Sequence, residues 1–300
     1  MVRLFEKSGF PLGLGTSRLR SVNGGLSAGA ARRLLETAFD AGIRFVDTAP
    51  SYGQGQAESA IDQLPSSKKD DLVICSKVGY SFGRKTLVIN ALKPILRPAV
   101  ASMSSLKTLI QRSREGMRQR GAITMDITPA AIRASLEGTL RRLGRQRLDI
   151  LMLHDPAVDS INDENVAQLD SLSAQGLIAQ WGISTSDPAA ARRGLQFDSL
   201  ALLQMPVDPA WVGAAGDLFE RCAERGVGVI AHRVFAIGLP QSGSLGPAAE
   251  RQQVVERCFE FALSQPAVQM VLCGTVSANH LMANIRSIRH LLEPTARNAQ

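Results

Sequence analysis

Cysteine is scarce in this chain, four in 300 residues, and Cys75, Cys222, Cys258 and Cys273 form no CxxC pair. Each sits in an apolar strand or helix context, so buried reduced thiols are expected and a structural zinc site is not. Nowhere do ~18 uncharged apolar residues follow one another, which leaves no candidate transmembrane helix. The opening MVRLFEKSGF has no apolar run long enough for a signal peptide, so a cytoplasmic protein is the expectation. Nor does any GxGxxG open a helix. GLGTSR at 13–18 holds two glycines, but the sequence through Gly25 never completes the fingerprint that a doubly wound dinucleotide fold would carry.

Charge of one sign is also missing from most of the chain, despite a net charge of +7. Arg84, Lys85, Lys93, Arg97, Lys107, Arg112, Arg114, Arg118 and Arg120 stand against one acid, Glu115, a local balance of +8 that leaves −1 for everything else. The basicity therefore belongs to one segment and not to the fold. No aromatic residue is interleaved with those charges, so a nucleic-acid partner is not expected.

What is present is a rhythm. Short runs rich in β-branched residues alternate with amphipathic stretches at helical spacing. The expected strands are Pro11 to Gly15, Arg44 to Thr48, Leu72 to Val78, Leu148 to His154, Ile178 to Ser184, Leu200 to Met205, Gly228 to His232 and Met270 to Gly274. Ser27 is placed to cap a helix over Ala28 to Ala41 that Gly42 ends, and Thr128-Pro129 opens another over Ala130 to Leu143 that Gly144 ends. Asp187-Pro188 starts a third in the same way. Near-continuous apolar strands such as LDILMLH belong to parallel sheets covered on both faces. Eight βα units with no linker between them predict one α/β domain over residues 1–300, a closed (β/α)8 TIM barrel. One interval breaks the pattern: Ser81 to Met125 is longer than a βα loop needs. Its apolar spacing predicts short amphipathic helices broken around Pro94 and Pro98, forming a helical insertion or lid after the third strand.

In such a barrel the reactive groups lie at the C-terminal ends of the strands. Asp47 closes the second strand, Lys77 the third and His154 the fourth, while Tyr52 follows the second by a few residues. Singly, each is an ordinary strand-end residue. Jointly, at three successive strand ends, they suit proton donation to a developing alkoxide. A phenol of pKa ~10 is a weak acid at neutral pH, and a neighbouring ammonium lowers it. Lys77 supplies that charge, Asp47 keeps the lysine charged and in place, and His154 orients a carbonyl.

VDTAPSYG, CSKVG and LHDP, with the opening GLGTSRL, resemble the aldo-keto reductase superfamily, in that family's order across nearly the whole chain. The resemblance implies an NAD(P)-dependent oxidoreductase that interconverts a carbonyl (aldehyde, ketone or aldose) and an alcohol or lactone. Tyr52 is then its general acid/base, Lys77 and Asp47 its tuning pair, and His154 the substrate-orienting residue. WGIST implies Ser184 and Thr185 near the nicotinamide carboxamide, and LLQM implies Gln204 beside them. AHRVF stands where the family often shows AYSPL, which puts His232 in the stacking position and Arg233 towards the pyrophosphate. CGTVSANHLMANI implies Gly274, Thr275, Ser277, Asn279 and Asn284 around the adenosine phosphates. Gly274 and His280 replace basic residues often used there against a 2′-phosphate, so the implied cofactor is NADP or NAD, with the family's habit favouring NADP.

The expected partner is a small carbonyl or alcohol, and an anionic one would suit a positively charged insertion. That segment is also basic enough to meet an acidic protein or an anionic lipid surface. Two other functions stay open at this level. One is an idle nucleotide-binding regulatory subunit on the same barrel. The other is a metal hydrolase using Asp47, His154, Asp155 and His232, which lacks an HxH pair and leaves Lys77 without a role.

Overall fold

A computed structural model describes residues 10–20, 25–82, 123–235 and 248–293. Its elements, in chain order, are β1 (Leu12–Gly15), α1 (Ala28–Asp40), β2 (Phe45–Asp47), α2 (Gln56–Asp62), α3 (Ser66–Lys69), β3 (Val73–Val78), β4 (Tyr80–Phe82), β5 (Ile123–Met125), α4 (Pro129–Leu143), β6 (Leu148–His154), α5 (Asp163–Ala174), β7 (Ile178–Ser184), α6 (Pro188–Gly194), β8 (Leu202–Pro206), α7 (Pro209–Ala215), α8 (Leu218–Glu224), β9 (Gly228–His232), α9 (Ala248–Ser264), β10 (Val268–Cys273) and α10 (Ala278–Leu292). Eight of the strands close into one parallel barrel in the order β1-β2-β3-β6-β7-β8-β9-β10. These are the eight expected strands, each within about two residues.

Local chemistry explains the element ends. The Ser27 side chain accepts from Ala30 N at 3.3 Å and so begins α1, a cap that contributes about 1 kcal/mol. Ala31, Leu34, Leu35 and Ala38 form its buried stripe, and Gly42, at φ 101°, turns the chain out of it. Thr128 caps α4 with Pro129 in its first turn, and Gly144, at φ 60°, ends it. Pro11 falls just outside β1. It has no N–H for the ladder, although its carbonyl still accepts from Val271 N.

Two hydrophobic layers result. Phe45, Val73, Cys75, Ile150, Met152, Leu202, Ile230, Met270 and Leu272 fill the inside of the barrel. A larger cluster, including Leu34, Leu136, Leu169, Ile285 and the outward sides of the strands, joins the helices to the barrel wall. The helices expected between Ser81 and Met125 lie outside the described residues. The two ends of that stretch, however, pair as an antiparallel hairpin of β4 and β5, Tyr80 opposite Met125 and Phe82 opposite Ile123. Among the described residues no helix is long and apolar enough to cross a membrane.

Candidate active site

Strand alternation positions the site. Side chains two residues apart share a face, so one step up from the inner layer leads from Phe45 to Asp47, Cys75 to Lys77, Met152 to His154, Leu202 to Gln204, Ile230 to His232 and Leu272 to Gly274. Asp47, His154 and His232 end their strands, Lys77 lies one residue before the end of β3, Gln204 two before the end of β8, and Gly274 one beyond β10, the C-terminal side where barrel chemistry is built. The backbone of Asp47 is fixed from β1's side, because its carbonyl accepts from both Thr16 N and Thr16 Oγ1 at 2.9 Å.

Tyr52 arrives by a sharper route. Gly53, Gln54 and Gly55 all have positive φ, at 58°, 58° and 84°. A Cβ at Gly53 would stand 2.6 Å from the Arg20 carbonyl oxygen, so this turn needs glycine there. It folds the chain back so that the phenol reaches over the end of β3.

Four side chains then form one connected set. Lys77 Nζ donates to Asp47 Oδ1 at 2.5 Å, to the Thr48 carbonyl at 3.1 Å and to Tyr52 Oη at 3.2 Å. Lys77 is 1% exposed and Asp47 4%, so the ion pair sits where water screens it little. His154 lies edge-on to Tyr52, ring centroids 6.1 Å apart, and edge-on to Tyr80 at 4.8 Å. All four residues expected from the sequence are therefore brought together.

The electrostatics revise one expectation. Burial raises the Tyr52 phenol above its usual value, and this outweighs the lowering effect of Lys77, which Asp47 also opposes. The ammonium acts in the expected direction without setting the net sign. Burial works to lower Lys77, but the attraction of Asp47, with smaller help from Tyr52, holds it above the ordinary lysine value. Burial, then Lys77 and His232, push His154 down to about 3. Burial, then Arg233 and Lys77, push His232 down to about 3. Both imidazoles are neutral at physiological pH, and the phenol keeps its proton.

Beyond the four, Gln204 Nε2 donates to Asp47 Oδ1 at 2.8 Å, and Ser184 Oγ donates to Gln204 Oε1 at 2.6 Å. Of two residues expected at the nicotinamide, Gln204 thus bonds the carboxylate that holds Lys77, and Ser184 connects to it through Gln204. Thr185 is buried beside them, its hydroxyl accepting from Asp187 N at 3.0 Å. Arg233, at φ 53°, is exposed and reaches Ser186 Oγ at 3.4 Å.

On the β10 side, Thr275 Oγ1 accepts from Ser277 N at 3.1 Å, and Ser277 Oγ accepts from His280 N at 3.3 Å, capping α10. Gly274, Asn279 and His280 are exposed at that helix start, where backbone N–H groups favour a phosphate. Asn284, further along α10, hydrogen-bonds the buried Cys273 side chain.

A cavity of about 620 Å³ opens beside the four catalytic candidates and not over them, lined by Met125, Asp155, Pro156, Ala157, Thr185, Ser186 and Asp187. Tyr80 and Met125, both brought here by the hairpin, were not anticipated. The aromatic after CSKVG was the available signal for Tyr80. Among the described residues no group of three or more His, Cys, Asp or Glu is arranged to hold a metal ion, so Asp47, His154, Asp155 and His232 do not assemble the hydrolase centre.

The model of the Aldo/keto reductase family matches residues 11–258. The chain is 31% identical to a D-threo-aldose 1-dehydrogenase of a Pseudomonas species over 76% of its own length and 66% of that protein's. It is 26% identical to an NADH-specific methylglyoxal reductase of Escherichia coli, over 76% of its own length and 64% of that protein's. It therefore spans about two thirds of the length of these relatives. An aldo-keto reductase from Klebsiella pneumoniae, solved in complex with NADPH, superimposes with a TM-score of 0.66 at 21% identity, covering 93% of this chain and 85% of that one.

Proposed function

This chain belongs to the aldo/keto reductase family, and from that premise we propose that it is an NAD(P)-dependent oxidoreductase in which Tyr52 exchanges a proton with the substrate oxygen. The observation that carries this reading is the phenol itself, with Tyr52 Oη 3.2 Å from a buried Lys77 ammonium that is paired to Asp47 at 2.5 Å.

The described residues fit a nicotinamide nucleotide. The buried Ser184 hydroxyl and Gln204 amide face the barrel mouth, and the exposed N-terminal turn of α10 suits a phosphate. When bound, the nucleotide supplies or accepts the hydride. This chain handles the proton. In reduction, Tyr52 Oη gives its proton to the oxygen that becomes the alcohol, and the phenolate left behind is stabilised by Lys77 and recovers a proton from solvent. Asp47 keeps Lys77 charged, while Gln204 holds Asp47. His154, neutral and packed against Tyr52 and Tyr80, orients the carbonyl without competing as an acid.

For the substrate we propose a neutral hydroxy-carbonyl compound such as an aldose. Support comes from the relative named as an aldose dehydrogenase and from the polar residues Asp155, Thr185, Ser186 and Asp187 among those that line the cavity. The anionic substrate expected from the basic segment gains no support from these lining residues.

The test is direct. Titrate the protein with NADPH and NADH by fluorescence, then assay turnover with aldoses, simple aldehydes and matched sugar acids. Binding of at least one nucleotide with turnover of neutral sugars or aldehydes is expected. Absence of binding to either nucleotide contradicts the reading, and a preference for the sugar acids contradicts the substrate class.

A further inference from the structure

Behind the site lies a buried carboxylate that the proposed chemistry does not use. Glu58, on α2, is completely buried, as are Ser76 on β3 and Thr139 on α4. Glu58 Oε1 accepts from Ser76 Oγ at 2.8 Å and from Thr139 Oγ1 at 3.0 Å, and Oε2 accepts from Arg142 Nε at 2.6 Å. Packing follows the same grip, since a Cβ at Gly55 would meet the Arg142 side chain at 2.6 Å.

The place of this carboxylate in the chain matters more than its bonds. Ser76 is the residue before Lys77, and on alternating strand positions its side chain points outward while that of Lys77 points into the barrel. On the other side, α2 begins just after the Tyr52 turn, and Ala57 N donates to the Tyr52 carbonyl at 3.3 Å. The links thus close a circuit: from the Tyr52 backbone to Ala57, to Glu58, to Ser76, to Lys77 and back across 3.2 Å to Tyr52 Oη. The Glu58 carboxylate is completely buried while Arg142 is partly exposed, so the three hydrogen bonds that hold the carboxylate, and not net stabilisation by the ion pair, are what bear on geometry.

We propose that Glu58 is a positioning residue that sets the separation of the Tyr52 phenol and the Lys77 ammonium by tying the Tyr52 turn to β3. The proposal rests on the role given to Tyr52 above. If it holds, loosening the tie weakens the lowering influence of Lys77 on the phenol, so the phenol ionises at higher pH and transfers its proton less well.

Three variants read this out. Ser76→Ala cuts only the link between Glu58 and β3, Ser76→Thr restores a hydroxyl there, and Glu58→Gln removes the charge at constant size. Expected are a fall in kcat of about tenfold for Glu58→Gln and about threefold for Ser76→Ala, recovered in Ser76→Thr, with KM and nucleotide Kd unchanged. The high-pH limb of the reduction rate moves to higher pH in the two slower variants. The chain has two tyrosines, so in a Tyr80→Phe background the near-ultraviolet phenolate signal reports Tyr52 alone. Without nucleotide or substrate, that titration also moves up with Glu58→Gln.

Wild-type kcat and an unmoved pH limb in Glu58→Gln and Ser76→Ala, beside an inactive Tyr52→Phe, overturn the positioning role and leave the proton donor standing. A fully active Tyr52→Phe overturns both. Loss of kcat in step with loss of folded protein, with the pH limb and phenolate titration unmoved, reduces Glu58 to a stabilising group and also overturns the proposal.

Discussion

The β2–β3 side and the β9–β10 side of the barrel mouth are built on opposite plans. On the first, Asp47 and Lys77 are buried and joined by a hydrogen bond of 2.5 Å, and Asp47 also accepts from the buried Gln204 of β8, across the barrel mouth, at 2.8 Å. On the second, Arg233, Gly274, Asn279 and His280 are exposed, and Thr275 and Ser277 spend their hydroxyls shaping the strand-to-helix turn. The contrast suits two different tasks. A proton donor gains from fixed, water-poor surroundings that need no reorganisation during the reaction. A nucleotide that must enter and leave needs accessible backbone and polar groups instead.

Substitutions on the two sides should therefore break different things. The largest effect is expected for Tyr52→Phe, a loss of kcat of about 10³-fold with nucleotide Kd unchanged, read by steady-state kinetics and fluorescence titration. Next comes Lys77→Met, which leaves the Asp47 carboxylate buried without its cation. Denaturant unfolding should show a loss of about 3 kcal/mol, whereas Arg233→Ala on the open side should change stability by less than about 0.5 kcal/mol. Equal losses from the two would erase the distinction drawn between the sides.

A smaller effect sharpens the open side. His280 is exposed in the first turn of α10, so His280→Arg offers a cation to a nucleotide phosphate there. NADPH binding should tighten by about tenfold while NADH binding stays within about twofold; equal gains for both would place the 2′-phosphate elsewhere.

The smallest effect concerns acid. His154 and His232 are held down to about 3 in the folded chain from an ordinary 6.5. Between those values the unfolded chain binds more protons than the folded one, so stability falls as pH drops from 6.5 towards 3 and is fully present above that window. His232→Phe should narrow the drop in Tm across that range by at least about 2 °C. An identical drop in wild type and variant would show that His232 makes no such contribution.

Much of this plan was legible in the sequence, for identifiable reasons. The strands could be found because LDILMLH and its counterparts are short, apolar and bounded by turn residues. Asp47, Lys77 and His154 could be picked out because they end such strands, where alternation points them inward. Ser27, Thr128 and Asp187 announced their helices by side-chain chemistry that acts within three residues.

What stayed hidden depends on closure of the barrel or on burial. Gln204 reaches Asp47 across 157 residues of chain, a contact that exists only once β8 and β2 share one barrel. Tyr80 and Met125 meet through a hairpin whose strands are separated by 40 residues of sequence. The net direction of the Tyr52 shift depends on how dry the phenol is, and that is a property of the packed site. The bond between Asn284, inside α10, and the buried Cys273 at the end of β10 is likewise visible only in the packed structure.

The pH dependence of kcat for carbonyl reduction tests the central claim most directly. With a buried phenol as the proton donor, raised above its ordinary value of 10.0, the rate should hold level through neutral pH and fall only above about pH 10. A fall centred near 6.5, retained in Tyr52→Phe, would assign the proton to an imidazole and contradict the account.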